Sequence, residues 1–153
     1  MSTKLQTAEL AYAAAMIDSF GVLRVRDYRG TGLPEVTIQG KIAALDWLAL
    51  VTGVKVRSIP KAYSRHQCSE HCPDKHMRIE SSTLRWQVTG ARATVVLHGC
   101  LPFMRVQNRD ARRLIEAGLE IGYKTDVVND MTRRGWEIPD LRDQPRARVA
   151  LVR

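Results

Sequence analysis

Hydrophobic and polar positions along the chain switch repeatedly between a helical and a strand period. From Thr7 or Ala8 to Asp18 the sequence reads as a helix rich in small residues, with Thr7 as its expected N-cap. Ala11, Ala14, Ala15 and Asp18 are spaced i, i+3, i+4, i+7 and share one face. From Gly21 to Tyr28 the period drops to two: Leu23, Val25 and Asp27 alternate with Arg24, Arg26 and Tyr28, which predicts a strand. Arg29 to Pro34, with two glycines and a proline, reads as a turn. Val36 and Ile38 then alternate with Glu35, Thr37 and Gln39, completing a β-hairpin.

Ile42, Leu45, Leu48 and Val51 predict an amphipathic helix that Gly53 stops. Residues 54–59 alternate again, with Val54 and Val56 against Lys55 and Arg57. Pro60 to about Ser82 is long, polar and rich in Cys and His. In Thr83 to Thr89, Leu84, Trp86 and Val88 oppose Thr83, Arg85, Gln87 and Thr89, giving a fourth strand. Ala91 to Leu101 predicts a short helix broken by Pro102. A further helix runs from near Gln107 to Gly118 or Gly122, with Ala111, Leu114, Ile115 and Gly118 inward. Residues 126–134 suit one more helix, and 141–153 read as a loose basic tail. The pattern predicts an α+β fold, with a domain over 1–122 and a basic, partly helical or loose extension over 123–153.

Alanines along one helix face let another backbone approach closely. The helix is too short to span a bilayer, so its partner should be a protein helix. No second copy of this segment occurs later in the chain. A second molecule is then the expected partner, and Ala11, Ala14, Ala15 and Asp18 the expected interface of a two-fold homodimer.

Composition narrows the partners. A net charge of +8 and a pI of about 9.9 point to a polyanion, nucleic acid before an anionic membrane surface. No apolar run is long enough to cross a membrane, and the polar first residues lack a signal-peptide core. An odd count of three cysteines fits a reducing, intracellular (cytoplasmic) setting better than a disulfide scaffold.

The strand pattern gives the charge a location. One sheet side collects Arg24, Arg26, Tyr28, Glu35, Thr37, Gln39, Lys55, Arg57, Arg85, Gln87 and Thr89; five are basic and one is acidic. Any half-buried antiparallel sheet has a polar side. That accounts for the alternation but not for the sign of the charge or the mixture of Arg with Gln, Thr and Tyr. Arg pairs with guanine and Gln with adenine in a major groove that admits a β-ribbon. Cationic side chains also neutralise phosphates. The expected DNA-reading residues are therefore Arg24, Arg26, Tyr28, Thr37, Gln39, Lys55, Arg57, Arg85 and Gln87.

Three blocks in order resemble the LAGLIDADG homing endonuclease family. Ala13-Ala-Ala-Met-Ile-Asp18-Ser-Phe20-Gly21 keeps the motif helix, its Asp and its final Gly. Arg85-Trp-Gln-Val-Thr-Gly90 is similar to the strand before the family's third helix. Leu101-Pro-Phe-Met-Arg-Val-Gln107-Asn-Arg-Asp-Ala111 is similar to the segment that opens the helix after it. The resemblance covers roughly 8–118. It implies an αββαββα core, a saddle of four antiparallel strands in the major groove, motif helices packed at a dimer seam, and near-palindromic targets for single-motif members.

Two departures bear on activity. The family holds its divalent metal with the acidic residue just before the final Gly, and that position is Phe20. Phe offers no oxygen to Mg²⁺. The family's basic residue near the scissile phosphate falls at Gln107, which supplies no charge to a transition state. Asp18 remains, at a position that belongs to the helix end. The expectation is homodimeric, sequence-specific binding of double-stranded DNA with cleavage lost. Magnesium would matter only if nuclease activity persists.

The segment 66–76 holds two Cys and three His. Thiolate and imidazole suit zinc, so Cys68, Cys72 and His76, with His66 (or His71) as the fourth ligand, form a candidate structural zinc site. Reduced cysteines in a polar loop are the plain alternative. Two other readings stand beside DNA binding without cleavage: an active metal-dependent endonuclease, and a zinc-ordered module whose basic face meets an acidic protein. Trp47, Trp86, Trp136 and His98 are expected to pack. Arg105, Arg109, Arg112 and Arg113 form a basic strip, either a phosphate contact or a solvated face.

Overall fold

The computed structural model describes residues 3–40, 43–59 and 83–140. Helix α1 (Thr7–Phe20) leads into strands β1 (Gly21–Tyr28) and β2 (Thr31–Gly40). Helix α2 (Leu45–Thr52) precedes β3 (Arg57–Ile59); β4 (Thr83–Thr89) is followed by α3 (Gly90–Cys100), a 3-10 turn (Leu101–Phe103), α4 (Asn108–Ile121) and α5 (Thr125–Arg133). The sheet is antiparallel throughout, in the order β1-β2-β4-β3. The fold is α+β, and its first seven major elements follow the αββαββα order.

Helices cover one side of the sheet. Val36, Ile38, Trp86 and Val88 have almost no exposed surface and pack with Ala13, Ile17, Val95, Leu97 and Leu114 from the helix layer. The indole N–H of Trp86 donates to Thr52 Oγ1 at 3.1 Å, which pins α2 to the sheet. α3 and α4 pack at a Gly: a Cβ added at Gly118 would fall 1.8 Å from Thr94 Oγ1. Cys100 is wholly buried in α3, and burial pushes its thiol up to about 12, so it carries no thiolate near neutrality.

Several boundaries differ from the expected ones. α1 begins at Thr7 with Gln6, not Thr7, as its N-cap, and the Gln6 N–H donates to the Glu9 carboxylate at 2.8 Å. The hairpin turn is only Arg29-Gly30, both at positive φ (53° and 79°), so Thr31 to Pro34 are strand. Residues 54–56 carry no ladder pairing, which leaves β3 three residues long. Ile42 lies outside the described residues.

Residues 123–140 are fastened to the first 122. Met131 and Trp136 lie in the shared core. The Trp136 indole donates to Val51 O at 2.7 Å, and Leu5 N donates to Gly135 O at 3.0 Å. Arg92 donates to Thr52 O at 3.0 Å and pairs with Asp130, which also accepts from Arg134. The basic tail 141–153 lies outside the described residues.

Candidate nucleic-acid interface

The register places the polar strand residues together. Arg24 stands opposite Glu35, which stands opposite Thr89; Thr37 lies opposite Gln87, and Gln39 opposite Arg85, which in turn faces Arg57. Arg26 and Tyr28 extend the same side of β1. Lys55 precedes β3 and lines an open cleft of about 640 Å³ with Arg26, Arg57, Arg85, Gln87 and Thr89. Arg24 joins Arg26, Arg85 and Gln87 around a second hollow. All nine expected reading residues therefore belong to one side of the sheet or its rim, opposite the helices.

The surface is not uniform. Arg24 and Arg26 are more than half exposed, whereas the Glu35 side chain between them is wholly buried. Arg24 Nε donates to Glu35 Oε1, and Arg26 Nη1 lies 3.8 Å from Oε2. Arg85 Nη2 approaches Gln39 Oε1 at 3.4 Å, while its buried Nε has no hydrogen-bond partner. The Thr37 hydroxyl is buried without one as well. Tyr28 sits at the hairpin end with the Arg29 guanidinium 5.4 Å from its ring centroid. Among the described residues, Lys55, Arg57 and Arg85 have no carboxylate within ion-pair reach.

Sequence reasoning missed two members of this face. Val22, 59% exposed, shares it with Arg24 by simple alternation, and Leu33 pairs with Arg26. Both were legible from the period of two, but polar residues alone were gathered. The burial of Glu35 had no sequence signal, because a glutamate in an alternating strand reads as solvated.

The C-terminal end of α1 has a definite local role. The Asp18 carboxylate accepts from the backbone N–H groups of Arg105 at 2.8 Å, Val106 at 2.9 Å and Gln107 at 2.7 Å. Burial raises its pKa, but the three N–H donors outweigh that and hold it below the usual carboxylate value. The Gln107 side-chain amide donates in return to Ile17 O at 3.0 Å and Gly21 O at 2.9 Å. Together they tie α1 to the start of α4. Phe20 is 58% exposed beside this clasp. The Phe20 side chain brings no oxygen to this end of α1, and both Asp18 oxygens accept backbone hydrogen bonds.

The expected α1 interface is only partly outward-facing. Ala15 is exposed and Ala11 half-buried, but Ala14 is fully buried within its own chain and Asp18 is held by the 105–107 backbone. Ala8, Tyr12 and Ser19 complete the exposed side, with the Tyr12 ring edge-on to Trp47 at 5.1 Å. Ala14 and Asp18 thus serve the fold of one chain. Trp86 and Trp136 are buried and Trp47 is partly so, while His98 is half-buried. Cys68, Cys72, His76 and His66 lie outside the described residues. Among the described residues no three His, Cys, Asp or Glu side chains gather to hold a metal, and no helix is long and apolar enough to cross a membrane.

An antiparallel sheet with helices on one side and a cationic groove on the other defines a class of fold rather than an activity. No protein-family model matches the chain, and no curated protein matches its sequence. Among solved structures it is similar to the homing endonuclease I-CvuI in complex with the I-CreI target in the presence of 2 mM Mg, with the DNA not cleaved. That match has a TM-score of 0.48 and 12% identity, and covers 86% of this chain and 97% of that chain. A second I-CvuI structure, in complex with its target in the presence of 2 mM Ca, gives a TM-score of 0.47 and 12% identity over 95% of this chain and 91% of that chain. Such identity transfers no residue's role.

Proposed function

We propose that this protein binds double-stranded DNA through the open side of its sheet, as a homodimer with a LAGLIDADG-like fold that no longer cleaves. The observation that carries this reading is the groove itself. Arg24, Arg26, Lys55, Arg57 and Arg85 converge on one side, interleaved with Thr37, Gln39 and Gln87, with Glu35 as the one carboxylate in that set. A β-ribbon fits the major groove, where Arg and Gln form paired hydrogen bonds to guanine and adenine. The cations would release phosphate counterions and make affinity fall with salt. Binding of this kind places the protein with DNA inside the cell.

Loss of cleavage follows from the residues that replace the family's chemistry. The Phe20 side chain offers a metal no oxygen, and the Gln107 amide is spent on the carbonyls of Ile17 and Gly21. The exposed side of α1, with Ala15 at its centre, is the proposed two-fold seam. Zinc bound by Cys68, Cys72, His76 and His66 remains a proposal that elemental analysis of the purified protein tests directly.

Selection from a random duplex pool is the principal experiment. A near-palindromic sequence is the expected product; retention of no duplex at low salt rejects the reading. On the selected duplex, Arg26→Ala should weaken binding by about 1–3 kcal/mol if its guanidinium meets a base. An unchanged binding curve at matched salt removes Arg26 from the reading set. Incubation with magnesium should leave that duplex intact, and nicking by the wild type would show that cleavage persists.

A further inference from the structure

Glu35 occupies an unusual position for a carboxylate. It lies on the polar side of a central strand, directly opposite Arg24, yet its side chain has no exposed surface. Its Oε1 accepts from Arg24 Nε, and among the described residues its Oε2 has no hydrogen-bond partner, with Arg26 Nη1 3.8 Å away. That separation is within ion-pair range but too long for a hydrogen bond. An isolated buried carboxylate is strongly disfavoured, so the two guanidiniums are drawn towards it.

We propose that Glu35 is a positioning residue that fixes Arg24 and Arg26 side by side, so that they read base edges instead of following phosphates. The inference rests on the DNA-binding reading. Arg24 spends its Nε–H on Glu35, and among the described residues its two terminal nitrogens make no hydrogen bond. Those are the atoms that pair with O6 and N7 of guanine. The nearby negative charge also weakens the attraction of both arginines for phosphate. The other half of the face contrasts with this. Arg57 and Arg85 stand opposite each other with Lys55 nearby and no carboxylate in reach among the described residues. The groove thus divides into a charge-balanced, oriented pair on β1 and an unbalanced cluster at β3 and β4 suited to phosphate.

The test compares the duplex selected by the wild type with a scrambled duplex of the same length and composition, over a series of salt concentrations. Glu35→Gln keeps the shape and removes the charge. It should bind the scrambled duplex more tightly, steepen the salt dependence by about one phosphate contact, and lower the ratio of specific to scrambled affinity roughly tenfold. Arg24→Lys is the second variant, and it keeps a cation beside the buried Glu35 carboxylate. It keeps the charge but loses the fork, so discrimination should fall roughly tenfold at an unchanged salt slope. A purely structural Glu35 would leave both ratio and slope unmoved, and retained discrimination in either folded variant overturns the proposal. If Glu35→Gln does not fold, Glu35→Asp, which keeps the charge and shortens its reach to Arg24, takes its place: discrimination should fall at an unchanged salt slope, and retained discrimination overturns the proposal. A wild type that holds duplex DNA without sequence preference overturns the role of Glu35 and leaves DNA binding standing. A wild type that binds no duplex overturns both.

Discussion

Asp18 is the residue on which the C-terminal end of α1 depends. Its carboxylate satisfies three backbone N–H groups that would otherwise lack partners at the start of α4. Asp18→Asn removes the charge and halves the acceptor capacity, and should destabilise the fold by about 1–3 kcal/mol in denaturant unfolding. The pKa in the folded chain is depressed, so this stabilisation is complete above the ordinary carboxylate range and lost as pH falls through the lowered value. Thermal stability of the wild type should therefore drop on acidification below about pH 4, with a flatter profile for Asp18→Asn. Parallel profiles would assign the acid loss to other groups. Asp18 was visible in the sequence as the polar end of a small-residue helix; its partners 87 to 89 positions away were not.

At the scale of elements, alternation reported which way side chains point but not where pairing begins and ends. The stretch 29–34 reads as a long turn because it holds Gly30, Gly32 and Pro34. Only Gly30 serves the turn, at φ 79°. Gly32 is a close approach, since an added Cβ would lie 2.9 Å from Val25 Cγ1. Pro34 pairs with Val25 on β1, and pairing of β2 with β4 starts one residue later at Glu35, so no ladder donor is missed. The seam between α3 and α4 obeys the same logic of close approach. Gly118→Ala should destabilise by about 1–3 kcal/mol through overpacking against Thr94. Adding Thr94→Ala should recover much of the loss, and a double-mutant cycle by thermal unfolding measures how much. Independent, additive effects would place the strain elsewhere.

Across the whole molecule, the segment after α4 is a structural member. Met131 is completely buried and Trp136 nearly so, and the Trp136 indole closes the end of α2. Trp136→Ala should cost about 3–5 kcal/mol, and removal of residues 123–153 should prevent cooperative unfolding by calorimetry. A truncated chain with the wild-type transition would make the segment dispensable. Assembly is tested on α1. Ala15→Glu places a charge on the exposed side without touching the core, so it should break the proposed homodimer and yield a folded monomer by sedimentation. Dimers that survive the change would move the seam off α1.

The order of elements, the face to which each strand residue belongs and the cationic character of that face are all legible in the chain before it folds. These depend on periods of 2 and 3.6 residues, which are local properties of the backbone. Folding itself buries Glu35 beside two arginines, turns Asp18 and Ala14 to partners in their own chain, and brings the segment around Met131 and Trp136 into the core. Each of those outcomes is set by contacts between residues far apart in the chain, whose desolvation and hydrogen bonding no local pattern encodes.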